Sequence, residues 1–181
     1  MLYTGKGDKG TTKTLNTPER IPKNSAVIEA LGAVDELNTW LGFCRVKFNE
    51  NQLTINNKNI AEILLAVQEN LFIIQGELAG ADLSLMPEKI SELESIINEI
   101  EKQLEPINSF LIPGGTEISA LCDFGRTIAR RAEREVVALM NSVKISDTML
   151  AYTNRLSSLL YALARYANQT SSVKEQAPSY K

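Results

Sequence analysis

The sequence predicts an all-α fold, a bundle of five helices. Apolar residues recur at helical spacing in five segments, and no segment alternates convincingly between apolar and polar residues as a half-buried strand does. Short links that contain helix breakers separate the five segments, which is typical of helix bundles. The chain has 181 residues, 44% of them hydrophobic and 23% charged, without repeats or an internal boundary. We therefore expect a single domain over residues 1–181.

This domain divides into three parts. Residues 1–23 are rich in Gly, Thr, Lys and Pro and lack helical periodicity, which predicts an N-terminal loop. Residues 24–169 contain the periodic segments and form the helical bundle. Residues 170–181 are polar, and we expect a flexible tail there.

The first two helices follow the loop. Asn24 or Ser25 is suited to cap the first, because a side-chain oxygen at this position accepts from a free N–H of the first turn. Residues 49–58 are a polar connection. The second helix is predicted from about Ile60 to Leu83, with apolar residues at helical spacing.

Proline residues bound the third helix, and two more helices follow. Pro87 is suited to the first helical position, and the apolar pattern continues to Leu104 before it stops at Pro106. The apolar turn FLIPGG then precedes a fourth helix, from near Thr116 to about Asn141. The fifth helix is predicted over 147–168.

The sequence contains no histidine, which excludes a Ser-His-Asp triad, a Cys-His pair, an HExxH metalloprotease site and imidazole metal ligands. The net charge of −3 argues against a nucleic-acid partner. Cys44 and Cys122 lie too far apart in the sequence for a metal-binding motif such as CxxC, and we expect both to be buried thiols. Because neither an apolar signal core nor a stretch of about 18 apolar residues occurs, we expect a cytoplasmic protein that does not bind a membrane.

A glycine- and lysine-rich segment near the N-terminus is the first candidate binding element. In TGKGDKGTTK, from Thr4 to Lys13, three glycines allow the backbone to approach a ligand, and lysines and threonines add positive charge and hydroxyl donors. This chemistry suits a polyphosphate, although the segment is not a Walker A loop. The alternative is a flexible N-terminal tail without a ligand.

The second candidate is the arginine-rich segment RTIARRAER of the fourth helix. It holds four of the eight arginines of the chain. Arg126, Arg130 and Glu133 share one helical face, whereas Arg131 and Arg134 point elsewhere. Since arginine makes forked contacts with phosphate and carboxylate, the cluster indicates an anion site. The alternative is a solvated face with pairs between successive helical turns.

Two further polar positions lie on helices. Asp35 follows apolar positions of the first helix and, if buried, needs a partner, for which an arginine of the fourth helix is the obvious choice. Asn154, Ser158 and Arg165 form a polar stripe opposite the leucines of the fifth helix. This stripe is suited to hydrogen-bond a ligand or to face solvent.

Five motifs in this order closely resemble the ATP:corrinoid adenosyltransferases of the propanediol-utilisation (PduO) type: TGKGDKGTT, GAVDELNTWLG, FLIPGG, RTIARRAER and TNRLSSLLYALAR. The resemblance spans about residues 3–167. It implies a ferritin-like, up-and-down five-helix bundle that assembles as a homotrimer with active sites between subunits. It also implies transfer of the 5′-deoxyadenosyl group of ATP to the Co(I) of cob(I)alamin, giving adenosylcobalamin and triphosphate, with Mg²⁺ held mainly by the ATP phosphates.

The resemblance also implies roles for individual residues. Asp35 and Arg126 would form a salt bridge across the subunit boundary that shapes the corrinoid site, and Phe110 would lie under the corrin ring. Together with Arg130, these three form the implied catalytic set. ATP would be bound by Thr4, Gly5, Lys6, Gly7, Asp8, Gly10, Thr12, Lys13, Lys23, Arg130, Arg131, Glu133, Arg134 and Asn154.

Alternatives from other classes are a non-catalytic ATP- or corrinoid-binding carrier or sensor, and a structural bundle whose arginines only pair with acids. Retention of both Phe110 and the ATP loop favours the enzyme, because a carrier needs no ATP. A separate reductase and an adenosylcobalamin-dependent enzyme are the partners that the resemblance implies.

Overall fold

The computed structural model describes residues 2–15 and 18–180; Met1, Asn16, Thr17 and Lys181 of the predicted loop and tail lie outside the described residues. The five predicted helices are confirmed. They are α1 (Ala26–Glu50), α2 (Ile60–Leu78), α3 (Glu88–Glu101), α4 (Glu117–Ala138) and α5 (Asp147–Thr170), with a 3₁₀ turn at Leu139–Asn141.

The structure adds four short strands that the sequence pattern does not predict. β1 (Thr11–Thr12) pairs antiparallel with β2 (Ile21–Pro22) inside the N-terminal loop. β3 (Thr54–Ile55) pairs with β4 (Lys58–Asn59) in the connection between α1 and α2. Each strand has only two residues, so none is long enough to show an alternating pattern.

Two helices end earlier than predicted, and α4 changes at Ala138 into the 3₁₀ turn that reaches the predicted end at Asn141. α2 stops at Leu78 instead of near Leu83, because the chain turns at Gly80, whose φ of 88° lies in the left-handed region. α3 stops at Glu101 instead of Leu104, because the N–H groups that follow make tighter turn bonds, among them Leu104 to the Glu101 carbonyl at 3.1 Å.

Consecutive helices run in opposite directions. α1 packs against α2 and α4, and α5 packs against α4 and α3. In each of three helix pairs, polar contacts join rising residue numbers on one helix to falling numbers on the other, which shows that the helices are antiparallel. For α1 with α2 the contacts are Asp35–Gln75 and Asn38–Gln68. The contacts are Glu36–Arg131 and Lys47–Glu117 for α1 with α4, and Glu133–Asn154 and Thr116–Asn168 for α4 with α5. α3 runs parallel to α5, since Glu94 meets Arg155 and Gln103 meets Gln169. None of the described helices is long and apolar enough to cross a membrane.

The core lies along the bundle axis and includes both cysteines. Cys44 of α1 and Cys122 of α4 are buried free thiols, as predicted. Interaction with the Cys44 thiol, together with burial, raises the pKa of Cys122 well above its usual value, so this thiol stays protonated. The pair therefore packs as two small apolar groups between the helices.

The connection between α3 and α4 is anchored where it enters α4. Asn168 of α5 accepts from the Thr116 N–H at 3.1 Å and donates to the Gly114 carbonyl at 3.1 Å. Asp123 accepts from the Gly114 N–H at 2.8 Å. Gly115 has a φ of 130°, and a Cβ there would lie 2.4 Å from the Asn168 Oδ1. Only glycine fits this position without strain.

We expect Gly115→Ala to lower the free energy of unfolding by about 2–4 kcal/mol, because the methyl group adds a clash to an unfavourable φ. Gly114→Ala is the matched control: its φ of 106° is also positive, but a Cβ there meets nothing within 4 Å. The control should lose only about 1–2 kcal/mol. Denaturant unfolding of both variants measures the difference, and equal losses would contradict the proposed clash with Asn168.

Candidate active site

A cavity of about 830 Å³ opens between the α3–α4 connection, α4 and α5. Its walls combine aromatic rings, two guanidinium groups and hydroxyl groups, and Phe110 is 81% exposed in the chain. The lining residues with polar or aromatic side chains are Asn108, Ser109, Phe110, Arg126, Arg130, Ser157, Ser158, Tyr161 and Tyr180. The cavity thus has the size and mixed character of a ligand site.

Helical geometry explains which arginines reach the cavity. Arg126 and Arg130 are four residues apart and lie on the same side of α4, facing the cavity. Arg131 points towards α1, where it pairs with Glu36. Arg134 lies one turn beyond Arg130 and donates to the Arg130 carbonyl at 3.1 Å. Two of the four clustered arginines therefore contribute positive charge to the cavity wall.

These two guanidinium groups are incompletely partnered. Asp123, one turn before Arg126, lies 4.0 Å from its Nε. That buried Nε has no hydrogen-bond partner among the described residues. The Arg130 side chain is exposed and makes no hydrogen bond or ion pair with any other residue that the structure describes. Unpaired guanidinium donors beside a cavity are suited to bind an anion.

The polar stripe of α5 is only partly as predicted. Ser158 lines the cavity. Asn154 is exposed and lies beside α4, where it donates to Glu133 at 2.7 Å and accepts from Arg155 at 2.7 Å. Arg165 does not belong to an exposed stripe: it is buried and donates to Glu105 of the α3–α4 connection and to Glu175 of the C-terminal segment.

The N-terminal loop is folded on itself. Turns at Gly5 and Gly7 and the β1–β2 pair close it, and the Lys23 N–H donates to the Gly10 carbonyl at 2.9 Å. The Lys23 ammonium lies beside Gly7, since a Cβ there would be 3.0 Å from the Lys23 Nζ. The loop thus brings the Lys23 charge next to the backbone at Gly7.

Within one chain the loop and the cavity do not form a common site. The loop meets the bundle at the end of α2, where the Leu15 N–H donates to the Ala79 carbonyl at 3.0 Å. Of the described residues, those that line the cavity come from the α3–α4 connection, α4, α5 and the C-terminal segment.

Asp35 does not meet the condition of burial under which an α4 arginine partner is expected. Asp35 is exposed and accepts from Gln75 at 3.2 Å, whereas its neighbour Glu36 pairs with Arg131 of α4. Successive helical residues point about 100° apart, so only one of the two carboxylates faces α4.

Sequence reasoning missed several cavity residues. Tyr161 follows Ser158 by three residues on the same face of α5, so an extended search along that face would have found it. Burial raises the pKa of Tyr161, which keeps its hydroxyl protonated as a donor. Tyr180 lies in the tail, where no periodicity indicates its position.

The described residues contain no group of three or more His, Cys, Asp or Glu side chains placed to hold a metal ion.

Comparison with known proteins identifies the family. The family described as cobalamin adenosyltransferase matches residues 2–167. The chain belongs to this family. It is 38% identical to the corrinoid adenosyltransferase PduO of Salmonella typhimurium over 99% of this chain and 54% of that protein, so it spans about half of that relative. It is 37% identical to a corrinoid adenosyltransferase of Bacillus subtilis, over 95% of this chain and 89% of that protein.

A solved structure of this family has the same fold. It is a phenylalanine-to-histidine variant of a PduO-type ATP:corrinoid adenosyltransferase from Lactobacillus reuteri, complexed with cobalamin and ATP. Its TM-score is 0.88 at 30% identity, and the match covers 99% of this chain and 97% of that one. The resemblance seen in the five motifs is confirmed.

Asp123 lies between Arg126 of the cavity wall and Gly114 of the α3–α4 connection. Its titration predicts that the stability of the protein depends on pH. Burial raises its pKa above the usual 3.8, so ionisation costs more in the folded state than in the unfolded state. Its contribution to stability therefore falls as the pH rises through the raised value. We expect Asp123→Asn, which keeps an acceptor for Gly114, to become more stable relative to the native chain between about pH 3 and pH 7. Denaturant unfolding across this range measures the difference; a constant or falling difference would contradict the burial effect.

Proposed function

We propose that this chain transfers the 5′-deoxyadenosyl group of ATP to the Co(I) of cob(I)alamin or a related corrinoid, giving adenosylcobalamin and triphosphate. The cavity that joins Arg126 and Arg130 to Phe110, in a chain of this family, carries the proposal. The Lactobacillus reuteri relative complexed with cobalamin and ATP supports it.

The reaction needs little acid–base chemistry from the protein. The electron pair of Co(I) attacks C5′ of ATP, the cobalt–carbon bond forms, and the C5′–O bond breaks with its pair leaving on triphosphate. Cobalt is thereby oxidised formally from Co(I) to Co(III). Because the nucleophile is on the substrate, a chain without histidine can catalyse this step.

The protein contributes position and charge. Arg130 would bind the leaving triphosphate, because its guanidinium is unpaired among the described residues and faces the cavity. Glu133, Arg134 and Asn154 would extend this surface along α4 and α5, and Arg131, on the side of α4 that faces α1, would contact ATP from there. The loop residues from Thr4 to Lys13, with Lys23, would cradle the phosphates through N–H groups and lysine charge. Stabilising the charge on the leaving group lowers the barrier.

Two chains would complete each site. The loop and the cavity are separate within one chain, and the half-buried Arg126 side chain has only a 4.0 Å contact with Asp123 among the described residues. The exposed carboxylate of Asp35 from a second copy would pair with Arg126 and shape the corrinoid site. Exposed aromatic rings on α1 and α4, Phe43 and Phe124 on either side of Trp40, support contact between copies. We propose the homotrimer on these grounds.

Phe110 would lie under the corrin ring and keep the lower axial ligand from cobalt. Loss of that ligand leaves four-coordinate Co(II), whose electron-accepting orbital is lower, so reduction to Co(I) by a one-electron donor becomes easier. An exposed phenyl ring on the cavity wall supports this role. The electron would come from a separate reductase, and an adenosylcobalamin-dependent enzyme would use the product.

Mg²⁺ would be held mainly by the ATP phosphates and would neutralise part of their charge. This fits the described residues, which offer no cluster of metal ligands. We propose a cytoplasmic setting for this reaction.

The decisive test is a spectroscopic assay with reduced cobalamin, ATP and Mg²⁺. We expect the absorption spectrum of adenosylcobalamin to appear and triphosphate to be released in equal amount. A non-catalytic carrier or sensor would bind ATP or corrinoid without this conversion, and a structural bundle would bind neither. Absence of conversion with fully reduced corrinoid and folded protein would overturn the proposed reaction.

Arg130→Ala should lower kcat/KM by about 100-fold or more, because a contact with the leaving triphosphate is lost. Lys102→Ala, which removes an exposed positive charge beyond the end of α3, is the matched control and should retain activity. Steady-state kinetics with preformed Co(I) measures both variants. Near-normal kcat/KM for Arg130→Ala would mean that this arginine is only structural.

Phe110→Ala should lose at least about tenfold more activity when the assay starts from Co(II) than from preformed Co(I). The two starting states of one variant control for folding, since both use the same protein. Equal losses from both states would contradict a role in removing the axial ligand.

A further inference from the structure

Arg165 of α5 is a buried cation whose two partners both lie outside the helices. It is 8% exposed. Its Nη2 donates to the Glu105 carbonyl in the α3–α4 connection at 2.7 Å, and its Nε donates to the Glu175 carboxylate in the C-terminal segment at 3.0 Å. A buried guanidinium must be paired to offset its desolvation. Arg165 therefore binds two irregular segments to a rigid helix.

A second link joins the same two segments directly. The Ile112 N–H donates to the Gln176 carbonyl at 2.8 Å, one residue beyond Glu175. The connection is thus held at Glu105 and again at Ile112, on either side of Phe110. The C-terminal residues 171–180 contain no helix or strand, so these links and the one from Val173 to Asn168 attach them to the bundle.

The position of Phe110 depends on this attachment. Its ring is 81% exposed, so burial of the ring in the core does not fix it. The backbone on either side must determine where the ring lies. That backbone is bound to Arg165 on one side and to the segment carrying Glu175 on the other.

We propose that Arg165 and Glu175 are positioning residues that hold Phe110 in the corrinoid cavity. The inference rests on the proposed function. It assigns a role to the C-terminal segment: the Glu175 carboxylate pairs with Arg165, and Arg165 holds the α3–α4 connection in place. Losing the ion pair frees the segment, removes the support at Ile112 and lets the Phe110 ring move. The consequence is a selective defect in the step that depends on Phe110, which starts from Co(II).

The test compares Glu175→Ala, Glu175→Gln and Arg165→Lys with the native chain, each assayed from Co(II) and from preformed Co(I). For Glu175→Ala we expect a loss of about tenfold to 100-fold from Co(II), since a displacement of about 1 Å can cost as much, and less than about twofold from Co(I). Glu175→Gln keeps an acceptor and should recover part of the rate. Glu175→Gln should stay folded, because the amide still accepts from the buried Arg165 Nε. Glu92→Gln, which breaks the exposed Lys89–Glu92 pair on α3, is the control and should change neither rate.

Two readouts separate positioning from general destabilisation. The spectroscopic signal of four-coordinate Co(II), formed with ATP present, should weaken in Glu175→Ala and Arg165→Lys. In a Phe110→Ala background, Glu175→Ala should add less than about twofold, because both changes act through one ring.

Equal losses from Co(II) and Co(I), or full additivity with Phe110→Ala, would overturn the positioning role. Failure of the proposed function looks different, because the native chain would then convert neither starting state.

Discussion

The proposed function depends on two arginine side chains that lie on one face of α4. Packing of α4 between α1 and α5 brings Arg126 and Arg130 to the cavity, while Glu36 of α1 takes Arg131 away from it. A buried donor without a partner costs about 1–3 kcal/mol, and the Arg126 Nε has none among the described residues. The fold therefore keeps a cationic wall incompletely compensated, and a substrate anion or a carboxylate of a second copy would satisfy it.

The rest of the proposed site follows from placing an apolar ring beside that charge. A cation-lined wall suits a leaving triphosphate, and an exposed phenyl ring suits a flat macrocycle whose metal must lose a ligand. Neither task needs a base, which agrees with a chain that has no histidine. Part of the proposed site lies outside the helices. The Phe110 ring belongs to the α3–α4 connection, which hydrogen bonds from α5 and to the C-terminal residues hold in place.

Helical periodicity is sufficient to predict the five helices. The turn angle of the helix also predicts that Arg126 and Arg130 share a face of α4 from which Arg131 points away. Periodicity did not predict the two-residue strands, which are too short to show a pattern. Charge complementarity does not distinguish adjacent carboxylates: within one chain Asp35 is exposed and meets Gln75, whereas Glu36 meets Arg131 of α4. Periodicity placed Arg165 on an open stripe, because its partners lie in segments without periodicity. The five ordered motifs carried the family assignment.

Subunit complementation tests most directly the claim that each site takes its loop from one chain and its arginines from another. One inactive variant would lack the loop charge, Lys23→Ala with Lys6→Ala, and the other would be Arg130→Ala. Co-expressed in equal amounts with different tags, the mixed assembly contains sites that draw both intact parts from different chains. If subunits mix at random, about a quarter of the sites are intact, so we predict about a quarter of native activity. Mixed assemblies as inactive as the two parent variants would contradict the shared site.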